Sequence, residues 1–509
     1  MKLLLISLDN QKMSFMGALV AVIDKRGENA VEKALTMLKT LRHRFDHSYG
    51  VATENAVFIA KADKRIQNDI TKASATIGYG LCKTKLEDQP QPVLRENFAL
   101  AFEGRFFPLK EPSDLEFAVR FLEENPKKKS KEIIEKIDGS YNFVILHKNQ
   151  IFAGRDPFGT HPLYYGENKE VLALASEMKA LWKLGIENVQ SVPPGTLAVI
   201  SRQGCVFEKI KDFPEPVEAK INEDEAVRRL QSLLLESLHE RIEDLSKVAV
   251  AFSGGVDSGT VAFLTRKCNV ELQLICVGLE GRRELQESLR LADELDLPIH
   301  VRVLSDEEEV EEAIPKVLWL IEEPNPVKLS IAIPFFFTAE TAKMLGFNVL
   351  LAGQGSDELF GGYKRYLQFY AEKGGKALHK LLYKDFLECY RNNFERDEKV
   401  CAFNKVELRL PFVDWELANY VLQLPLKFKI SSEKDPLRKL ILRKAMEKMG
   451  LPKSIAYKPK KAVQYATGVN ALLKRIAKRK GLSLREYVKQ VFKEVYSRRE
   501  DYEENRNYL

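Results

Sequence analysis

The sequence predicts a two-domain protein, α+β at its N-terminal end and α/β at its C-terminal end, on three observations. At 509 residues the chain exceeds what one hydrophobic core usually serves. Short β-type runs crowd residues 18–201 with few helical segments between them, the pattern of antiparallel sheets carrying helices. Beyond residue 222 strands alternate with helices, as in a parallel, doubly wound sheet that binds ligands at the strands' carboxyl ends.

In chain order, the predicted strands of the first part are ALVAVI (18–23), VFIAKA (57–62), ATIGYG (75–80), FALAFEG (98–104), YNFVILH (141–147), IFAGRD (151–156) and TLAVIS (196–201). Helical spacing is expected at 29–42 and 114–125. Pro193-Pro194-Gly195 marks a turn, and KDFPEPVEAKINEDE (211–225) reads as a linker. The period then changes. A helix (225–242) precedes the strand KVAVAF and the loop SGGVDS; LQLICVG (272–278), a helix (284–296), PIHVRV (298–303), two helical segments and the strand FNVLLAG (347–353) follow. SGGVDS and GQGSDELFGG (353–362) each follow a strand, so the two loops are expected across one crevice. The rest is mostly helical, and the charged segment 481–509 reads as a solvated amphipathic helix.

Composition narrows the class. With 45% hydrophobic and 30% charged residues, the chain reads as an ordinary soluble globular protein. A net charge of +6 against 79 basic and 73 acidic side chains gives no push toward nucleic acid or membrane. The opening MKLLLISLDNQK is too short for a signal-peptide core, and no run approaches the roughly 20 apolar residues of a membrane span. Six cysteines without CxxC spacing and seven histidines apart from them argue against structural zinc. A cytoplasmic setting is expected.

The loop AFSGGVDSGT (251–260) raises a chemical question. The backbone N–H groups of Ser253, Gly254 and Gly255 can form an anion nest at a helix N-terminus, with Ser258 beside them. A Walker loop would end in Gly-Lys-Ser/Thr, yet this one carries Asp257. A carboxylate beside phosphate makes sense as a Mg²⁺ ligand; the alternative is a glycine turn with Asp257 near an N-cap. Asp357 in the second loop, among Gly353, Gly355, Gly361 and Gly362, would supply a second carboxylate to the same ion.

At this point the sequence resembles a known family. SGGVDS is similar to the signature of the ATP-pyrophosphatase (adenine nucleotide alpha hydrolase-like) fold. Together with GSDELFGGY it resembles the synthetase domain of the class B asparagine synthetase family. ERDEKVCAFNKVELRLPFVD (395–414) looks like that family's helical signature, and LPKSIAYKPKKAVQYATGV (451–469) resembles its lysine-bearing motif, which puts Lys460 against pyrophosphate. The resemblance implies that aspartate becomes β-aspartyl-AMP with release of pyrophosphate, and that ammonia displaces AMP. It also implies nucleotide contacts from Ala251, Val277, Ala352 and Gly353.

RDPFGTHPLYYG (155–166), ALASEMKAL (173–181) and VPPGTL (192–197) resemble the class II glutamine amidotransferase domain, an Ntn-hydrolase-like fold, that precedes the synthetase in this family. The expected boundaries are 13–210 for this domain, 222–480 for the synthetase and 481–509 for the charged end. The family's nucleophilic cysteine falls in SFMGALVAV, where Met16 precedes Gly17 and no cysteine occurs before Cys82. A thioether cannot become a thiolate nucleophile. HRFDH (43–47) and Glu103-Gly104-Arg105 depart from two further motifs, although Arg44 and Asp114 match glutamine-contacting positions. Glutaminase activity is therefore expected to be lost. In the synthetase, Gln354 stands where the family has a glutamate that can take a proton; an amide cannot serve as general base. Glu358 and Glu322 are the candidate substitutes.

The leading expectation is an ATP- and Mg²⁺-dependent, AMP-forming ligase acting on aspartate and free ammonia, with a separate glutaminase or a homodimer left open. The alternatives are a β-lactam-synthetase-like ligase acting on another carboxylate and amine, and a catalytically silent scaffold.

Overall fold

The computed structural model describes residues 15–27, 29–66, 72–83, 89–305, 307–459 and 462–497. All seven N-terminal runs form strands, within two antiparallel sheets. One sheet has seven strands, with Phe15–Asp24 between Val171–Ala175 and Ala75–Lys83. The other has six, centred on Gln150–Arg155 and Gly139–His147. Along Ala18–Ile23 the two faces are both buried, which explains an unbroken apolar run. Leu19, Ala21 and Ile23 face the second sheet's Phe102 and Phe143, while Ala18, Val20 and Val22 face the helices Ala30–Thr40 and Met178–Lys183. Asp114–Glu123 and Pro126–Lys136 cover the far side of the six-stranded sheet, giving four layers. Asp114–Glu123 starts at a Ser113 cap whose side chain accepts from the Glu116 N–H, which fixes the entry of that helix.

Residues 211–222 connect the halves without helix or strand, and Asn222 caps Glu223–Glu240 through the Glu225 N–H. The C-terminal sheet is fully parallel, in the order Ile299–Leu304, Glu271–Leu279, Lys247–Ala251, Val349–Leu351, Glu407–Arg409. The chain therefore winds outward in one direction from Lys247–Ala251 and then reverses. The reversal lies between that strand and Val349–Leu351, and such a switch point opens a crevice at the strands' carboxyl ends.

Two expectations are corrected here. Within the helical signature, only Glu395–Phe403 is helix; Glu407–Arg409 is the fifth strand. The charged end is amphipathic, but the apolar face of its helix Leu484–Ser497 is covered, with Tyr487 and Val488 buried in the synthetase half and Val495 buried as well. Tyr496 also meets Trp182 of the N-terminal domain edge to face, at 5.0 Å between ring centroids. Among the described residues no helix is long and apolar enough to cross a membrane.

Candidate active site

The two glycine-rich loops meet at the switch point. Gly254, at φ +68°, turns the chain out of Lys247–Ala251, and a Cβ there would stand 2.8 Å from Leu291 and 3.0 Å from the Lys458 Nζ. Only glycine fits both demands. Gly255 precedes the helix Val256–Arg266 with no side-chain cap, so the first amides of that helix face the cleft mouth. Ser253 and Ser258 tie the turn together: the Ser253 N–H donates to the Ser258 hydroxyl at 3.1 Å.

From the second loop, the Ser356 hydroxyl donates to the Asp257 carboxylate at 2.9 Å. Asp257 and Asp357 come from different loops, yet both reach one cation. The ammonium of Lys439 lies 2.6 Å from each carboxylate and 3.2 Å from the Ser356 hydroxyl, and its side chain is fully buried. A Cβ on Gly362 would overlap Asp357 and the Lys439 chain, so this close approach requires glycine. Arg438 and Lys439 both sit at positive φ, 57° and 53°. Each such residue costs about 1–3 kcal/mol, strain that the surrounding contacts must offset.

No sequence motif marks Lys439. Lys460, the lysine expected against pyrophosphate, lies outside the described residues. Lys458 does reach the first loop, with Nζ 3.5 Å from the Ser253 carbonyl and 3.3 Å from Glu287. Two carboxylates spaced to share one ammonium are also spaced to share one metal ion, and an all-oxygen donor set suits a hard divalent cation.

Ala251, Ser253, Asp257, Ser258, Val277, Ala352, Gly353, Gln354 and Asp357 all line this cleft. Part of its wall is apolar, with Val277, Leu285, Pro334 and Phe335. The strand carrying Val277 outruns its neighbour there. Ile275 accepts from the Phe252 N–H, and the Leu279 N–H donates to Thr467 on the same side. Val277 lies midway in the two-residue period, so its N–H and C=O turn to that side as well. An apolar slot edged by one donor and one acceptor suits a purine base.

Gln354 also lines the cleft, and its amide nitrogen donates to Asp397 at 2.6 Å. The two carboxylates offered as substitute bases lie elsewhere. Glu358 is buried and accepts from the Tyr363 hydroxyl at 2.6 Å and from Asn393 at 2.8 Å. Burial and the neighbouring Asp357 raise its pKa. Glu322 sits between the domains, where it accepts from the Met178 and Lys179 N–H groups and from Lys399 at 2.7 Å. Both hold the fold together, and neither lines the cleft.

The residues expected at a former glutamine site lie near the domain border. Arg44 is fully buried, and every arm of its guanidinium is engaged. Nε donates to the Gly17 carbonyl at 2.6 Å, Nη1 to Glu177 at 3.0 Å, and Nη2 to Glu103 at 3.1 Å. Glu398 of the synthetase half takes both terminal nitrogens, at 3.1 and 2.5 Å. Burial works against Glu177, but the charges of Lys179 and Arg44 and the hydrogen bond from His43 hold it well below the carboxylate range. Burial likewise lowers His43 to about 4, so this imidazole is neutral at pH 7. Glu103, His161 and Glu398 approach closely enough to suggest a metal site. Arg44 already lies against both carboxylates and supplies the cation there.

The motif departures have structural work across the same border. Arg105 faces Asp244 at 3.5 Å and Glu407 at 3.6 Å, and Arg409 clamps both of those carboxylates. Asp114 belongs to a different cluster from Arg44. It accepts from the Phe106 and Lys110 N–H groups, and burial pushes its pKa up to about 6 against the pull of Arg105. The strand register sets Cys82 opposite Met16. That places a thiol beside the expected nucleophile position along the pairing, but burial pushes it up to about 12.

Comparisons with known families match parts of both halves of the chain. The family model for asparagine synthase matches residues 229–373 and 369–507, and that for a glutamine amidotransferase domain matches 95–183. A Methanocaldococcus jannaschii protein, provisionally named asparagine synthetase (glutamine-hydrolyzing) 1, is 30% identical across 92% of this chain and 96% of its own length. Asparagine synthetase B (glutamine-hydrolyzing) of Escherichia coli K12 is 26% identical across 86% of this chain and 79% of its own. Among solved structures, the glutamine phosphoribosylpyrophosphate amidotransferase of B. subtilis aligns over 56% of this chain and 81% of its own at 16% identity, with a TM-score of 0.35. Matched over more than half its length by the synthase family and nearly end to end by a 30% identical relative, the chain belongs to the asparagine synthase family of ATP-dependent ligases.

Proposed function

We propose that the protein makes asparagine from aspartate, ATP and free ammonia. The observation that carries this reading is the convergence of Asp257, Asp357 and Lys439 on one point beside a cleft whose apolar wall suits a purine. The aspartate side-chain carboxylate attacks the α-phosphorus and pyrophosphate leaves. Ammonia then forms the C–N bond, the acyl–phosphate C–O bond breaks, AMP leaves, and the nitrogen gives up a proton. Asp257 and Asp357 would hold Mg²⁺, whose charge would offset that of the departing pyrophosphate. Lys439 and Lys458 add fixed positive charge, and the amides after Gly255 bind phosphate oxygens.

Free ammonia is favoured by the state of Arg44. A glutamine carboxylate would have to displace Glu103, Glu177 or Glu398 from a guanidinium that these side chains already saturate. With no cysteine before Cys82, no thiolate stands ready to cleave the amide.

The test supplies aspartate, ATP and Mg²⁺ and measures AMP and asparagine. Ammonium should support product, and glutamine should not. Glutamate release from glutamine at a rate matching AMP formation would overturn the ammonia reading. Pyrophosphate exchange with some other acid and none with aspartate would favour the second reading, a ligase of another carboxylate and amine, which Gln354 at the cleft keeps in play.

A further inference from the structure

Gln354 presents a neutral amide to the cleft, and a carboxylate lies directly behind it. Gln354 Nε2 donates to Asp397 Oδ2 at 2.6 Å. Asp397 is fully buried and receives both arms of the adjacent Arg396, Nε on Oδ1 at 2.8 Å and Nη2 on Oδ2 at 2.9 Å. Burial leaves the Asp397 pKa raised although Arg396 and Gln354 pull it down, and it is the two guanidinium N–H donors on its oxygens that mark it as an acceptor. A carboxylate clamped in this way has acceptors to offer and no donor. It therefore fixes the two-faced amide of Gln354, drawing the NH₂ inward and leaving the carbonyl oxygen as the end that meets the cleft. The five-residue π turn Tyr390–Phe394 immediately precedes the helix that carries Arg396 and Asp397, and such turns recur at functional sites.

We propose that Asp397 is a positioning residue for the second half-reaction, an inference that rests on the acyl-adenylate reading above. By locking the amide it makes Gln354 an acceptor for an N–H of the attacking amine. As the C–N bond forms, the nitrogen becomes cationic and holds three N–H donors. The Gln354 carbonyl takes one hydrogen bond, the C–O bond to AMP breaks, and the proton passes to solvent because an amide cannot retain it. Gln354 thus orients the nucleophile without acting as base, and the enzyme depends on ammonia that arrives unprotonated.

The test separates the two half-reactions in the full-length protein. In Asp397→Asn the paired amides can face either way, so the apparent KM for ammonium should rise about tenfold while aspartate-dependent pyrophosphate exchange changes less than about twofold. Gln354→Met leaves Arg396 and Asp397 paired and should give the same split by a second route. Gln354→Glu sets two carboxylates against each other and should impair amination. Combining Gln354→Glu with Asp397→Asn lets the introduced amide donate to the introduced carboxylate, and this double variant should recover to within a few-fold of the parent. Equal losses in exchange and amination, or a double variant no better than the worse single, would show that Asp397 serves only the fold. Absence of exchange in the unaltered protein with any acid would instead remove the ligase reading itself.

Discussion

Replacing Arg44 by methionine tests whether the domain border is fastened by charge. Methionine keeps much of the buried volume and removes the guanidinium, which leaves Glu103, Glu177 and Glu398 facing one another without their shared cation. Removing one partner of a buried ion pair costs about 3–5 kcal/mol, because the remaining charge stays desolvated. For a unit of roughly 200 residues, 1 kcal/mol corresponds to about 2–4 °C, so the melting temperature should fall by about 6–20 °C. Scanning calorimetry should also split one transition into two, since Glu398 belongs to the other domain. The pH dependence should change sign. In the parent, Glu177 and Glu398 are held below their ordinary values. They therefore stabilise the fold above the unfolded carboxylate pKa, and this contribution is lost as pH falls through the folded values. Without Arg44 burial dominates at Glu398 and raises it, whereas Glu177 keeps Lys179, so at Glu398 the folded state binds a proton more tightly than the unfolded one. Stability should then increase as pH falls from about 8 toward about 5. Glu398→Gln added to Arg44→Met should restore part of the loss, a coupling that a double-mutant cycle measures. A melting temperature within about 2 °C of the parent, with an unchanged pH slope, would refute the reasoning.

Asp257→Asn should abolish AMP and pyrophosphate formation while leaving the melting temperature within a few degrees, because it removes an anionic ligand and keeps the side chain's shape. Lys439→Met should slow pyrophosphate exchange by about 100-fold or more, the scale of losing a fixed charge at a transition state; an unchanged rate would mean that Lys439 only bridges the two aspartates. Met16→Cys should not restore glutamine-dependent synthesis, since Arg44 remains saturated by carboxylates, and measuring glutamate release checks it.

The fold was legible where burial leaves a period. Seven apolar runs of the first domain and the alternating elements of the second are visible because one or both faces of each strand are packed. Glu407–Arg409 escaped because it is three residues long and two of them are charged. Its burial depends on Asp244 and Arg105, which arrive from elsewhere in the chain. The same limit governs the site. Asp257 and Asp357 stand in glycine loops that follow strands, so local sequence points to them. Lys439 reaches the same spot from a left-handed turn with no such signature, and Asp397 is one acid among several on a charged helix. The bare motif departures at Glu103 and Arg105 could be seen, but their new partners could not. Arg44 meets Glu103 from a separate turn earlier in the chain, and Asp244 and Glu407 meet Arg105 from the other domain.

The helix Glu395–Phe403 shows why an N-terminal domain without glutaminase chemistry would still matter to the ligase. Its residues divide between two neighbours. Glu395 is held by Arg155 at 3.0 Å and by the Tyr164 hydroxyl at 2.8 Å, and Glu398 by Arg44, all from the first domain. Arg396 and Asp397, between those two anchors, turn to Gln354 and the cleft. A nine-residue helix has little stability of its own. Its placement is set by what its charged side chains meet, and several of those partners come from across the border. A carboxylate of bound glutamine would leave Arg44 after each turnover, whereas Glu398 is part of the chain and stays. Its contact with Arg44 is therefore a permanent brace for the residues proposed to orient the amine.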